Sequence, residues 1–501
     1  MQKDPCDIDV FLNPKSVAVI GASERPGSWG SFIMRGLVSA KFPGQIYPVN
    51  SRAGAVLGIP AFKSMAEIKD PVDLAVCAIP DKFVEETIAA CGQKGVKGIT
   101  IITAGFAETS DQGRQQQTSL AALARSYGIR IIGPNVSGTF NLVAGFNASS
   151  IPADGLLPTS ISAICQGGYA FYDILSSGRA KGLGVGQFIH TGNESDLTVT
   201  DFLEAFGKDH SVRAIVMYVE TLRDGRRFMK VARKVTDVKP VVVYKAGRTA
   251  DSARAAHSHT GALAGPWQVY KGLLRQTGAI ISPTMEMLLP IGHALIERPP
   301  MAGRRVAIIT VGGSWGVALT DCLAEAGMSV PEFSPDLQRK LRNLGMPDRA
   351  SVKNPLDFGA SGQFLAVDFP VSLARAIMAS KQADAMVVHG IGRPGMHTAD
   401  TPEEWKIFLD IEKQQVNKIC ALEKEMGIPV LIGSHYNPWE SQAVSDLSQQ
   451  GVRVYNRLQE IAGLLKALYE YGRRKIPNTK KTNLKEIPMT EIQNIQNKAK
   501  Y

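Results

Sequence analysis

The chain has 501 residues, of which 44% are hydrophobic and 20% charged; this is ordinary globular composition, too long for one core and suited to about three or four domains. No uninterrupted run of about 18 or more apolar residues occurs, which argues against a membrane-spanning helix, and the amino-terminal MQKDPCDIDVF lacks an apolar signal region, so a cytoplasmic protein is expected. The net charge of +10 gathers at the end, where eight Lys or Arg face two Glu from Arg473 onward; this is a solvated tail or a docking arm for an acidic partner, and the body lacks the basic helix of a nucleic-acid binder.

Three blocks repeat one rhythm of short apolar runs separated by segments of helical period. The first holds SVAVIGA (16–22), IYPVN (46–50), DLAVCAIP (73–80), GITIITAGF (98–106) and IRIIGPN (129–135). The second holds ISAIC (161–165), VGQFIHTGN (185–193), AIVMYVE (214–220), PVVVYKAGR (240–248) and AIISP (279–283). The third holds RVAIITVGG (305–313), MSVPEF (328–333), AMVVHGIG (385–392), IPVLIGS (428–434) and VRVYN (452–456). Runs apolar on both faces are what a helix-covered parallel sheet requires. In SDLTVTDFLEAFGKD (195–209), Leu197, Val199, Phe202, Leu203 and Phe206 form an apolar stripe, with Ser195 placed to cap the helix. The pattern predicts an α/β fold of three consecutive doubly wound domains, over 1–143, 144–298 and 299–472, with a basic tail over 473–501. The six cysteines (Cys6, Cys77, Cys91, Cys165, Cys322, Cys420) include no CxxC pair and read as reduced packing residues.

Ligands of such sheets bind beyond the C-terminal ends of the strands. After the first run comes Gly21-Ala22-Ser23-Glu24-Arg25-Pro26-Gly27-Ser28-Trp29-Gly30, a small-residue turn entering a helix and a ready phosphate site. The second run ends in Asn50-Ser51-Arg52, with a cation where an NAD site carries Asp or Glu. That argues for a ligand with an additional phosphate, such as CoA, and leaves NADP open.

In the second block ARAAHSHTGALAG carries His257 and His259 among small residues that permit close approach to a ligand; two surface histidines before a helix are the plainer reading of that motif alone. Gln166, Gly167 and Gly168 follow ISAIC and open a helix, where a phosphate is stabilised. Glu220 ends AIVMYVE, and a carboxylate there can orient an imidazole and leave its other nitrogen nucleophilic. In the third block Val311-Gly312-Gly313-Ser314-Trp315-Gly316 is either a further phosphate turn or a tight strand-to-helix turn.

GAS…PG, IYPVN, VDLAVCAIP, ITAGFAE and GPN, in this order, resemble the CoA-binding domain of succinyl-CoA synthetase and the ADP-forming acetyl-CoA synthetases; SHTGALAG, VETLRDGRRF and GNE resemble the phosphohistidine domain of the same NDP-forming acyl-CoA synthetase family. The resemblance implies a Rossmann-like CoA-binding domain followed by two flavodoxin-like ligase domains. It implies that Gly21, Ser23 and Gly27 meet the CoA phosphates, that Asn50 and Arg52 lie near its nucleotide end, and that Phe106 and Asn135 lie along the pantetheine path. It makes His259 the phosphoryl acceptor and Glu220 its orienting carboxylate, with Gln166, Gly167, Gly168, Gly192 and Asn193 around the phosphate. Asn354-Pro355-Leu356-Asp357 extends it into the third block, as a ligase-linking domain. The chain departs from the family at Cys165 and Gly167 (CQGG where SQSG is common), at Val136 (where Cys follows GPN) and at Trp315. No GxxxxGK[ST] sequence occurs, and the resemblance implies an α-type subunit needing an ATP-grasp β subunit, in an α2β2 assembly, that binds ATP or ADP with Mg. The implied reaction interconverts acyl-CoA, ADP and phosphate with a carboxylic acid, CoA and ATP, through an acyl phosphate and a phosphohistidine. A catalytically impaired CoA-binding or scaffold protein of the same fold is the alternative.

Overall fold

A computed structural model describes residues 8–152, 155–252, 254, 265–358, 366–392, 402–403 and 406–475. β1 (Ser16–Ile20) is buried along its whole length and leads into α1 (Trp29–Ser39), capped by Ser28 Oγ accepting from Ser31 N at 3.3 Å. β2 (Gln45–Val49), a short hairpin of β3 (Ala55–Val56) and β4 (Ile59–Pro60), β5 (Leu74–Cys77), α2 (Val84–Lys94), β6 (Gly98–Ile101), α3 (Asp111–Ser126) and β7 (Arg130–Ile132) complete the first unit. Its sheet is parallel in the order β2-β1-β5-β6-β7, and the winding reverses between β1 and β5. A crevice opens at that reversal.

The second sheet begins with a hairpin that the sequence rhythm does not display, β8 (Gly138–Asn141) and β9 (Phe146–Ser149). Then follow β10 (Ile161–Cys165), α4 (Ala170–Arg179), β11 (Gln187–His190), α5 (Val199–Lys208), β12 (Ala214–Val219), α6 (Gly225–Val238), β13 (Val241–Lys245), α7 (Trp267–Thr277), β14 (Ile280–Ile281) and α8 (Leu288–Glu297). The order is β14-β13-β12-β10-β11-β8-β9, with β8 antiparallel to both β11 and β9. This sheet is therefore mixed, and its parallel part reverses between β10 and β12. The hairpin seats the second unit on the first. A Cβ at Gly36 of α1 would lie 2.7 Å from Asn147 O, so only glycine permits the approach. One apolar core then runs from Val17 and Ile33 through Phe146 to Ile164, Ile189 and Phe202. The expectation that Ser195 caps α5 is corrected: Ser195 Oγ donates to Gly133 O at 2.8 Å, and Thr198 with Asp201 forms a capping box instead.

The third unit comprises β15 (Val306–Thr310), α9 (Gly313–Glu325), α10 (Pro335–Asn343), β16 (Leu356–Asp357), α11 (Asp368–Ala379), β17 (Ala385–His389), α12 (Lys406–Met426), β18 (Val430–Gly433), α13 (Gln442–Gln449), β19 (Val454–Tyr455) and α14 (Leu458–Lys475). Its sheet is parallel in the order β16-β15-β17-β18-β19. MSVPEF (328–333), expected as a strand, is not one: it makes only an isolated bridge between Ser329 and Arg305, and Leu356–Asp357 takes the edge. Pro331 has no N–H for a ladder. The Asn354 side chain occupies this edge, accepting from Ile308 N at 3.0 Å and donating to Val306 O at 2.8 Å and Pro331 O at 3.0 Å. No described helix is long and apolar enough to cross a membrane. The described cysteines are all free, and Cys77, Cys91 and Cys165 are buried.

Candidate active site

The crevices of the first and second sheets face each other across one cavity of about 1190 Å³. On the first side, Gly21, Ser23, Gly27 and Asn135 line it. Gly21 has φ +88°, and a Cβ there would sit 2.4 Å from Ala78 O; one on Gly30 would sit 1.9 Å from Gly21 O. The turn therefore lies flat against β5 and the start of α1 only because both residues are glycine. Ser23 Oγ accepts from Arg25 N at 3.0 Å. Gly27 has φ +77° and open space where a side chain would stand. Asn50 does not line the cavity: it donates to Ala22 O at 2.7 Å and accepts from Arg52 N at 2.8 Å, tying the turn after β2 to the turn after β1. Arg52 is exposed beside it. Phe106 is fully buried among Ile99, Ile101 and Leu120, outside the cavity lining.

The loops after β7 and β11 interlock. A Cβ on Gly192 (φ +56°) would lie 2.4 Å from Pro134 O and 2.6 Å from Asn135 O. Asn193 N donates to Pro134 O at 3.0 Å, and its side chain donates to Glu108 at 2.5 Å and Gln117 at 3.0 Å. Sequence reasoning missed Glu108, although it closes the quoted ITAGFAE. Burial alone would raise its carboxyl, but donation from Gly105 N and Asn193 holds it below the ordinary range. Next to Asn193, burial pushes the Glu194 carboxyl up to about 7, against donation from Val199 N and Thr191 at 3.0 Å each.

On the second side, Gln166, Gly167, Gly168, Gly192, Asn193 and Glu220 line the same cavity. Gln166 Oε1 accepts from Glu220 N at 2.6 Å and Thr221 N at 2.9 Å, binding the loops after β10 and β12 together. A Cβ on Gly167 would meet the Tyr218 ring at 2.8 Å, and one on Gly168 would meet His190 at 3.1 Å. Cys165, fully buried with its thiol pKa raised by burial, donates to Gly167 O at 2.9 Å. α4 starts with no side chain capping its first turn, so its dipole and free N–H groups face the cavity beside these glycines.

His190, also missed, is buried with both ring nitrogens engaged: Nδ1 accepts from Ser137 N at 2.7 Å, which leaves Nε2–H to donate to Gln166 O at 3.0 Å. Nothing but its place at the head of HTGN signals it. Glu220 is 5% exposed and hydrogen-bonded to the Tyr218 hydroxyl. The Lys245 ammonium, brought down to about 8 by burial, is attracted to Glu220 and lies 4.5 Å from the Tyr270 ring centre. His257 and His259 lie outside the described residues; Ala246, Gly247 and Ser252, ahead of them in the chain, line the cavity. The arrangement can hold an extended anionic ligand between two helix N-termini, with an orienting carboxylate at one end.

At the crevice of the third sheet Trp315 packs 5.4 Å from His389 and 4.5 Å from His435, ring centre to ring centre. A Cβ on Gly390 would lie 2.4 Å from Val311 and 2.9 Å from Trp315. Burial brings His389 down to about 4, with His435 adding to the effect. This turn is filled by an indole and neutral imidazoles, so it reads as packing.

A family model described as a CoA binding domain matches residues 15–140, and one described as a succinyl-CoA ligase like flavodoxin domain matches residues 158–295. The α subunit of acetate–CoA ligase [ADP-forming] II from Pyrococcus furiosus is 34% identical over 466 residues, 93% of this chain and 98% of the relative. An acetate–CoA ligase [ADP-forming] of Methanocaldococcus jannaschii is 37% identical over 347 residues, 69% of this chain and 48% of that longer protein. Among solved structures, Ca. Korarchaeum cryptofilum acetyl-coenzyme A synthetase 1, in complex with phosphate and ADP, superposes with a TM-score of 0.80 at 31% identity, covering 96% of this chain and all of the other.

Proposed function

The chain belongs to the ADP-forming acyl-CoA ligase family, in its α-subunit form, and from that premise we propose that the cavity between its first two sheets converts an acyl-CoA and phosphate into an acyl phosphate and passes the phosphoryl group through His259 to ADP. One observation carries this reading: a glycine turn suited to CoA phosphates and a helix N-terminus suited to a transferred phosphate open into the same space, with Glu220 at its edge. The first-side residues fit CoA, since Gly27 leaves its turn open and Ser23 and Arg25 stand at the cavity. Val136, buried at the end of GPN, gives the thiol end of the path an apolar wall.

A phosphate oxygen attacks the thioester carbonyl and CoA leaves as the thiolate. An imidazole nitrogen of His259 then attacks phosphorus and the carboxylate leaves. Glu220 accepts a hydrogen bond from the other ring nitrogen and stabilises the imidazolium as charge develops, while the first turn of α4 stabilises the phosphoryl oxygens. The β-phosphate oxygen of ADP finally takes the phosphoryl group and frees the imidazole. Two steps are needed because acid and nucleotide occupy separate sites. We assign the nucleotide and its Mg²⁺ to an ATP-grasp β subunit in an α2β2 assembly, and the location to the cytoplasm, where CoA and ADP are drawn upon.

Cysteine and glycine stand at 165 and 167, where serine hydroxyls are common in the family, the observation behind an impaired, CoA-holding protein as the second reading. ADP- and phosphate-dependent release of CoA from acetyl-CoA, by the chain with its β subunit, separates the two. We expect turnover that falls at least about 100-fold in Glu220→Gln. CoA binding without any release of thiol would leave the second reading in its place.

A further inference from the structure

We propose that the acyl group handled in this cavity carries an aromatic ring, docked on Tyr169 and Tyr172 at the entry of α4; this rests on the acyl-CoA reading above. Tyr169 is 81% exposed yet lines the cavity, its ring stacked on Tyr172 at 5.8 Å and 30° between planes. A large aromatic face at a cavity, stacked among the described residues only on Tyr172, is surface that a ligand ring can bury.

The pair is held in place at the cavity wall. The Tyr172 hydroxyl pairs with Ser150 Oγ at 2.7 Å and donates to Ser150 O at 2.9 Å; Ser150 N in turn donates to Ser137 O at 2.9 Å, next to Val136. Val136, Gly167, Gly168 and the tyrosine pair line the same cavity, so an acyl chain held there has both an apolar side chain and the aromatic pair within its walls.

Charge argues against a dicarboxylic acid. Among the described lining residues only Arg25 and Glu220 carry charge. Arg25 belongs to the turn after β1, and Glu220 repels a second carboxylate. The Lys245 ammonium at the end of β13 is already engaged by Glu220, and Arg248, just past that strand, is held by the carbonyls of Lys245, Ser282 and Pro283 at 2.6–2.9 Å.

Calorimetric titration of the full chain with phenylacetyl-CoA, acetyl-CoA and succinyl-CoA tests this. Phenylacetyl-CoA is expected to bind about tenfold more tightly than either of the others, about 1.4 kcal/mol. That ratio should persist in Tyr169→Phe and fall below about threefold in Tyr169→Ala, where the stacking face is gone. Equal affinities, tighter succinyl-CoA, or an unchanged ratio in Tyr169→Ala would each overturn the proposal while leaving the CoA site intact. Failure of all three thioesters to bind would instead overturn the acyl-CoA reading beneath it.

Discussion

Single side chains decide how the two halves of the cavity meet. Gly192 combines a left-handed φ with two carbonyls inside 2.6 Å of its missing Cβ, so Gly192→Ala should lower stability by about 2 kcal/mol or more and loosen the contact between the first two units. Thermal unfolding would show the drop; an unchanged melt would mean that the loops move apart freely. Glu194 makes a different prediction. Its folded carboxyl titrates near 7, above the ordinary value of about 4.3 for the unfolded chain. Between those values the folded state holds a proton that the unfolded state has released, so stability falls as pH rises through that window. Glu194→Gln keeps an oxygen for Val199 N and Thr191, and should flatten the slope between pH 5 and 7 in melts across pH. A mutant as pH-dependent as the wild type would disprove the assignment.

At the level of elements, helix entries position the chemistry. α5 is fixed by Asp201, whose carboxylate accepts from Thr198 N at 2.9 Å and pairs with Arg227 at 2.8 Å. Burial opposes its charge, but the Arg227 and Thr198 hydrogen bonds outweigh it and hold its pKa below the ordinary range. Asp201→Ala should therefore cost about 1 kcal/mol at neutral pH. The difference from wild type should vanish as pH falls below the depressed pKa, because stability from a lowered carboxyl is present above the unfolded value and lost beneath it. Denaturant melts at pH 7 and in steps downward from pH 4 check both halves. The strands and helix starts around these sites were legible because apolar runs, glycine turns and capping residues are local signals. The cap itself was misplaced by three residues: Ser195 has the right chemistry, but its hydroxyl is spent on Gly133 across the chain. MSVPEF failed for the complementary reason, since an apolar run reads as a strand until Pro331 and the Asn354 side chain displace it from the sheet edge.

For the whole molecule, three sheets share one winding order and are joined by contacts that sequence periodicity cannot reveal. The β8–β9 hairpin, hidden in what reads as a boundary, extends the second sheet and carries the first unit on α1. Between the second and third units Arg298 donates to Glu423 at 2.7 Å and to Val430 O at 2.6 Å, with both side chains about nine-tenths buried. Arg298→Leu would strand the Glu423 carboxylate and should cost about 3–5 kcal/mol, seen as an earlier unfolding step in calorimetry. Gln166, Glu220, Gly192 and Asn193 were legible as candidates, and the fold brings them to one cavity. The exclusion of Phe106 and the role of His190 were not, because both depend on which way a side chain turns from its strand or loop. The account stands on phosphoryl transfer through His259. Incubation of the chain and the proposed ATP-grasp β subunit with γ-labelled ATP, followed by peptide mapping, should place acid-labile, base-stable label on His259, with none in His259→Ala. Label that persists in that variant, or sits on another residue, would contradict it.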